Sequence, residues 1–253
     1  MAPRLTLCAG QYGSGSTWVF NAVRGLLAQA TGRGEIPGFY ADSLRDLPEF
    51  TRVGAPLVVK AHRPDRSLRL LGALYGAPMV VSVRDPRDAV VSMAQRFGEP
   101  VPDCARAVAE SARHLVLLLA QPRVLVLRYE DRFTAADGTV ARLAAFLGLA
   151  VSEASCAQIA AGLTPERVRA TVAALEQAGV YGAGPDPRRH DPATLWHARH
   201  VGDGRVGKHR EALAPEAAAE VLAATAEYCR AFGYGGEEAA AAGSAAGGSG
   251  VPG

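Results

Sequence analysis

Three short stretches carry side chains whose types and spacing suit the binding and transfer of an anionic group. The first is Gly10-Gln-Tyr-Gly13-Ser14-Gly15-Ser16-Thr17. Backbone amides of such a loop, with the N-terminus of a helix opening at Ser16, make a cradle for phosphate or sulfate. The hydroxyls of Ser14, Ser16 and Thr17 add donors. Its spacing is that of a phosphate-binding loop, yet Ser16 stands where ATP-binding loops carry lysine. The second stretch is Lys60-Ala-His62. Side chains two apart on a strand share a face, and an imidazole of ordinary pKa, about 6.5, accepts a proton at neutral pH. The third is Arg84-Asp85, at the end of a strand. Its guanidinium would give an anion charge-assisted bonds. Alone, Arg84 would read as an ordinary ion-pair partner of Asp85 or Asp88.

The elements that must position these groups alternate short apolar runs with longer helical periods. LTLCAG (5–10), PLVVKAH (56–62), MVVSVRD (79–85) and RVLVLRYED (123–131) are expected strands. Helices are expected at about 16–30, after the Asp85-Pro86 start signal, and at about 105–119, 140–147, 153–161, 164–179 and 215–232. Apolar strands separated by helices predict a parallel sheet covered on both faces, a three-layer α/β sandwich. In such a sheet ligands collect at the carboxyl ends of the strands, where all three stretches lie.

The bulk numbers set the frame. A chain of 253 residues, 49% hydrophobic and 21% charged, holds one sizeable domain, read as 1–234. The low-complexity run 235–253 is an expected disordered tail. A net charge of +2 gives no argument for a nucleic-acid partner. Cys8, Cys104, Cys156 and Cys229 form no CxxC pair, so free thiols in a reducing, cytoplasmic setting are expected. No run approaches the roughly 18–20 apolar residues of a membrane span. His197-x-x-His200 has zinc-like spacing but lacks a third well-placed ligand, so solvated or substrate-facing histidines are the reading and no metal is expected. Heavy Ala, Gly and Arg usage suggests a GC-rich genome, and a bacterial source is expected.

In their order the motifs resemble those of the sulfotransferases that use 3′-phosphoadenosine-5′-phosphosulfate (PAPS), over about residues 5 to 213. Ser14-Gly15-Ser16-Thr17-Trp18 is similar to the family's loop, and Trp18 would either stack on adenine or join the core. Val80 to Ser92, VVSVRDPRDAVVS, resembles the segment whose arginine and serine, here Arg84 and Ser92, grip the 3′-phosphate. Lys60-Ala-His62-Arg63-Pro64 resembles the segment whose histidine, here His62, is the general base. Leu127-Arg-Tyr129-Glu-Asp131 is similar to the strand whose tyrosine lies near the adenine. Gly202 to Lys208 resembles the basic loop that closes over the 3′-phosphate, bringing Arg205, Val206, Gly207 and Lys208 to the cofactor.

The resemblance implies a sulfotransferase fold akin to P-loop kinases, with PAPS as co-substrate. It implies sulfuryl transfer to a hydroxyl or amine of a small-molecule or glycan acceptor, with Lys60 beside the leaving oxygen. One position departs from the pattern: the family's loop cation falls on Gly13, so its charge must come from Lys60, Arg24, Arg63 or Lys208. Removing a preorganised donor costs about 2.7 to 4 kcal/mol of transition-state stabilisation. An ATP-dependent P-loop kinase, with Asp85 or Asp131 on magnesium, and a nucleotide-binding protein without turnover are the alternatives. Residues 32–55 and 181–203 are the expected acceptor-facing loops, where Arg188, Arg189 and the nearby histidines suit an anionic or polar acceptor as well as a solvated basic loop.

Overall fold

The computed structural model describes residues 2–48, 56–182 and 189–235. The low-complexity run from 236 and parts of both expected acceptor loops, 49–55 and 183–188 with Arg188, lie outside the described residues. In chain order the elements are β1 (Leu5–Gly10), α1 (Ser16–Thr31), β2 (Gly38–Tyr40), β3 (Leu57–Ala61), α2 (Arg66–Leu74) and β4 (Met79–Val83). There follow α3 (Pro86–Phe97), α4 (Val101–Val116), β5 (Val124–Arg128), α5 (Thr139–Leu147), α6 (Glu153–Gly162) and α7 (Pro165–Gln177). The short α8 (His209–Ala212), then α9 (Pro215–Ala224) and α10 (Ala226–Phe232), end the described chain.

The five strands form one all-parallel sheet in the order β2-β3-β1-β4-β5. Every residue of β1, β3 and β4 is buried, as two-sided coverage requires. Alternation along the strands then sorts the core into two layers. Cys8, Val58 and Val80 pack with α1 and α5, whereas Leu7, Val59 and Val81 pack with α2, α4 and α10. The three-layer sandwich expected from the sequence is therefore the fold. Helix α3 is different: its main contacts are with α4, α8 and α9, and its Ala89, Val90 and Met93 form a separate apolar cluster with Cys104, Val108 and Val221.

Differences from the sequence reading have local causes. Helix α4 starts at Val101, earlier than expected, because Pro102 and Asp103 occupy its first turn. The expected single helix over 215–232 is two, broken at Thr225, whose hydroxyl donates to the Val221 carbonyl (2.7 Å). Helix α2 lies outside the helices expected from the sequence, although Asp65 caps it by accepting from the Leu68 amide at 2.9 Å. The three-residue edge strand β2 carries too short a pattern to be read.

One long-range contact fixes the strand end that carries Arg84. The buried Tyr228 hydroxyl of α10 donates to the Arg84 carbonyl (3.0 Å) and accepts from its amide (3.1 Å). Removing that hydroxyl leaves two buried backbone groups unpaired, so Tyr228→Phe is expected to cost about 1–3 kcal/mol. Urea unfolding would show a lower midpoint at unchanged slope. An unchanged midpoint would show that the hydroxyl carries no weight there.

Candidate active site

Residues that leave β1, β3, β4 and β5 at their carboxyl ends meet in one cavity of about 1130 Å³. The loop after β1 turns on Gly13 (φ +67°) and Gly15 (φ +82°), a left-handed backbone that glycine adopts without steric cost. Ser16 and Thr17, in the first turn of α1, line the cavity with Gly13 and Gly15. Ser14 does not. Its hydroxyl is fully buried and spent on the Gln11 and Ser82 carbonyls and the Ser82 hydroxyl, at 2.6 to 3.0 Å, so it ties the loop to β4.

The space at Gly13 explains the missing cation. A Cβ built there would stand 2.8 Å from the Ser92 hydroxyl oxygen, 3.0 Å from its Cβ and 3.6 Å from an Arg84 guanidinium nitrogen. Glycine thus lets the loop backbone touch the pair that the sequence singled out. Arg84 donates to the Gly13 carbonyl (3.0 Å) and the Arg205 carbonyl (2.7 Å) and ion-pairs with buried Asp88 (3.5 Å). Its Nε is buried without a hydrogen-bond partner. The Tyr129 ring lies 4.1 Å beneath the guanidinium, so Tyr129 supports Arg84.

Asp88 ties the C-terminal loop to this centre. It accepts from the Gly207 amide (2.7 Å), the His209 amide (3.0 Å) and His209 Nδ1 (2.7 Å). Burial alone would raise its pKa, but the His209 bonds, the Arg84 charge and the Gly207 amide outweigh it and hold the carboxyl at about 2. Arg205 and Lys208 line the cavity; Val206 is exposed and Gly207 spends its amide on Asp88, so neither of these two lines it. Trp18 is part of the core, edge-on to Phe133, and also borders the cavity.

At the end of β3, His62 Nδ1 lies 2.6 Å from the Gly10 carbonyl and Nε2 lies 3.1 Å from Lys60 Nζ. A carbonyl can only accept, so the proton sits on Nδ1 and the Nε2 lone pair faces the ammonium. Burial first, then the Lys60 charge, pushes the imidazole well below its usual range, so it is neutral at pH 7. Burial likewise lowers Lys60 to about 8. Tyr12 stacks on the imidazole at 4.3 Å, and Asp42 accepts from the His62 and Arg63 amides at 2.8 and 2.7 Å.

Of the other cations expected to replace the loop charge, Arg24 is held by the Ile36 and Ala193 carbonyls and Glu35, and does not line the cavity. Arg63 lines it but pairs with Asp42 and Glu110, and Lys208 with Asp203. The sequence reading missed Arg96, one turn beyond Ser92 on α3, although four-residue spacing from Ser92 was the available signal. Burial and the Arg84 charge lower it to about 10. The kinase carboxylates fare poorly: Asp85 caps α3 and is engaged by Arg87, Asp131 is exposed, and neither lines the cavity.

No protein-family model matches the chain, and no curated protein matches it. Solved structures do. Mouse sulfotransferase SULT7A1 complexed with PAP matches with a TM-score of 0.64 at 15% identity, over 91% of this chain and 86% of that one. Retinol dehydratase in complex with retinol and PAP matches at 0.58 and 17% identity, over 90% and 82%. Retinol dehydratase in complex with androsterone and PAP matches at 0.57 and 16%, over 90% and 81%. The chain therefore has the sulfotransferase fold. Among the described residues no helix is long and apolar enough to cross a membrane, and no group of three or more His, Cys, Asp or Glu side chains could hold a metal ion.

A lysine at position 13 should not repair the loop. A side chain there adopts a left-handed backbone, at about 1–2 kcal/mol, and meets Ser92. Gly13→Ala and Gly13→Lys should both lower the unfolding midpoint, and Gly13→Lys should weaken adenosine 3′,5′-bisphosphate binding. A Gly13→Lys protein with wild-type midpoint and tighter binding would contradict this account of the loop.

Proposed function

We propose that the chain transfers a sulfuryl group from PAPS to a hydroxyl or amine of a small-molecule acceptor. The observation that carries this reading is the contact of Gly13, Ser92 and Arg84 on the same cavity as the His62–Lys60 pair. The unpartnered Arg84 Nε and the hydroxyls of Ser16 and Thr17 suit a phosphorylated, sulfated nucleotide. Likeness to structures that each hold PAP supports the same co-substrate.

In this reading Arg84 and Ser92 take the 3′-phosphate, and the loop with the α1 N-terminus takes the phosphosulfate. Lys60 swings from His62 to the bridging oxygen, which frees the Nε2 lone pair. His62 then removes the acceptor proton as the acceptor oxygen bonds to sulfur. The bond from sulfur to the bridging oxygen breaks, and adenosine 3′,5′-bisphosphate leaves. Positioning and charge supply most of the rate, as in phosphoryl transfer. The alternatives of a kinase and of binding without turnover gain no support from the arrangement of Asp85 and Asp131 or from the intact His62–Lys60 pair.

The test is bisphosphate release from PAPS in the presence of mixed phenols, alcohols and amines, without magnesium. General-base loss predicts that His62→Ala lowers the rate at least about 100-fold. Lys60 acts protonated, so kcat/KM for PAPS, which reports the free enzyme, should fall as pH rises through about 8. His62 acts neutral and its pKa is lowered, so the acid limb should lie below pH ~6.5, the ordinary imidazole value. Lys60→Arg should move the alkaline limb upward. Full turnover by His62→Ala would sink the assignment of the base, and turnover only with ATP and magnesium would promote the kinase.

A further inference from the structure

Asp88, Ser92 and Arg96 follow one another at one-turn spacing along α3. Asp88 holds the C-terminal loop and Ser92 abuts Gly13, but Arg96 reaches past both to the far wall of the cavity, where it donates to the His200 carbonyl (3.2 Å). Among the described residues Arg96 has no carboxylate partner. The lining carboxylates are Glu99, Asp103 and Asp203, of which Asp103 holds Arg106 and Asp203 holds Arg205 and Lys208. A partly buried guanidinium answered by a neutral carbonyl and by the Phe97 ring at 6.0 Å is short of a counter-charge.

The wall beside it is built for a flat body. The His200 ring lies edge-on to Trp196 at 4.4 Å and stacked on His197 at 5.0 Å, while Phe97 meets His197 edge-on at 6.1 Å. His200 Nδ1 is buried with no hydrogen-bond partner. The segment is held in place from α1, since Asn21 donates to the Thr194 carbonyl (2.9 Å) and Arg24 to the Ala193 carbonyl (2.6 Å). The Arg96 guanidinium and the unpartnered His200 nitrogen therefore stand on an aromatic wall that shares its cavity with His62.

We propose that Arg96, with His200 beside it, reads an acidic group on the acceptor, so that the substrate class is a flat hydroxyl compound carrying a carboxylate. This rests on the sulfotransferase reading of the site. The hydroxyl end faces His62 and the acid end faces Arg96, so one molecule spans the cavity between base and guanidinium. A charge-assisted bond of this kind discriminates an acid from its neutral amide by about tenfold or more.

Isothermal titration on the full chain saturated with adenosine 3′,5′-bisphosphate tests it without needing turnover. The probes are 3-(4-hydroxyphenyl)propionate, its amide, and tyramine, which share a phenol and differ in charge. The acid should bind at least tenfold tighter than the amide. In Arg96→Gln that ratio should shrink to about threefold or less, and in Arg96→Glu the order should reverse, with tyramine ahead of the acid. Equal binding of acid and amide by the wild type, or an acid preference that survives Arg96→Glu, would overturn the proposal. So would loss of bisphosphate binding in both Arg96 variants, which would assign Arg96 to the nucleotide. If the wild type itself fails to bind the bisphosphate, the sulfotransferase reading has failed first.

Discussion

The guanidinium of Arg84 is the constraint on which the site depends. It is almost wholly buried, and three separate segments supply its oxygens: the Gly13 carbonyl, the Arg205 carbonyl and Asp88. The loop after β1, α3 and the C-terminal loop are thereby held around one charge. Its own backbone is held by Tyr228, and its guanidinium rests on Tyr129. A glycine at 13 follows from this arrangement, because any side chain there would push into Ser92 beside the guanidinium.

The same arrangement concentrates positive charge. Arg84 lowers the pKa of Arg96 and of Lys208, in each case after burial, and Lys60 does the same to His62. Like charges held together oppose folding, and an anion that binds among them relieves the repulsion and raises those pKa values again. The Lys60–His62 bond follows the same logic, since the neutral imidazole accepts from the ammonium until a stronger acceptor arrives. Under the proposed transfer, that bond covers the His62 lone pair until the anionic co-substrate enters.

Much of this was legible in the sequence because it is written locally. Buried strands show as apolar runs, Asp85-Pro86 announces α3, and Lys60 and His62 share a face by strand parity. What was not legible depends on partners far along the chain. Ser14 looked like a ligand hydroxyl, and only the proximity of Ser82, 68 residues on, shows that it braces the loop. Tyr129 lines the cavity and also lies under Arg84, a contact that no local pattern announces. Arg96 drew no reading, because the His200 carbonyl that it meets lies 104 residues further along the chain. Val206 and Gly207 belonged to a motif whose backbone, rather than its side chains, makes the contact with Asp88.

The central claim is a pocket for a 3′-phosphate at Arg84, Ser92 and Gly13, and it is tested most directly by comparing two nucleotides that differ in that group alone. Calorimetric titration of the protein with adenosine 3′,5′-bisphosphate and with adenosine 5′-monophosphate, without magnesium, isolates the contribution. Bonds to charged groups contribute about 1.5–3 kcal/mol each, so the bisphosphate is predicted to bind roughly 100-fold tighter. Equal affinity for the two nucleotides would contradict the account.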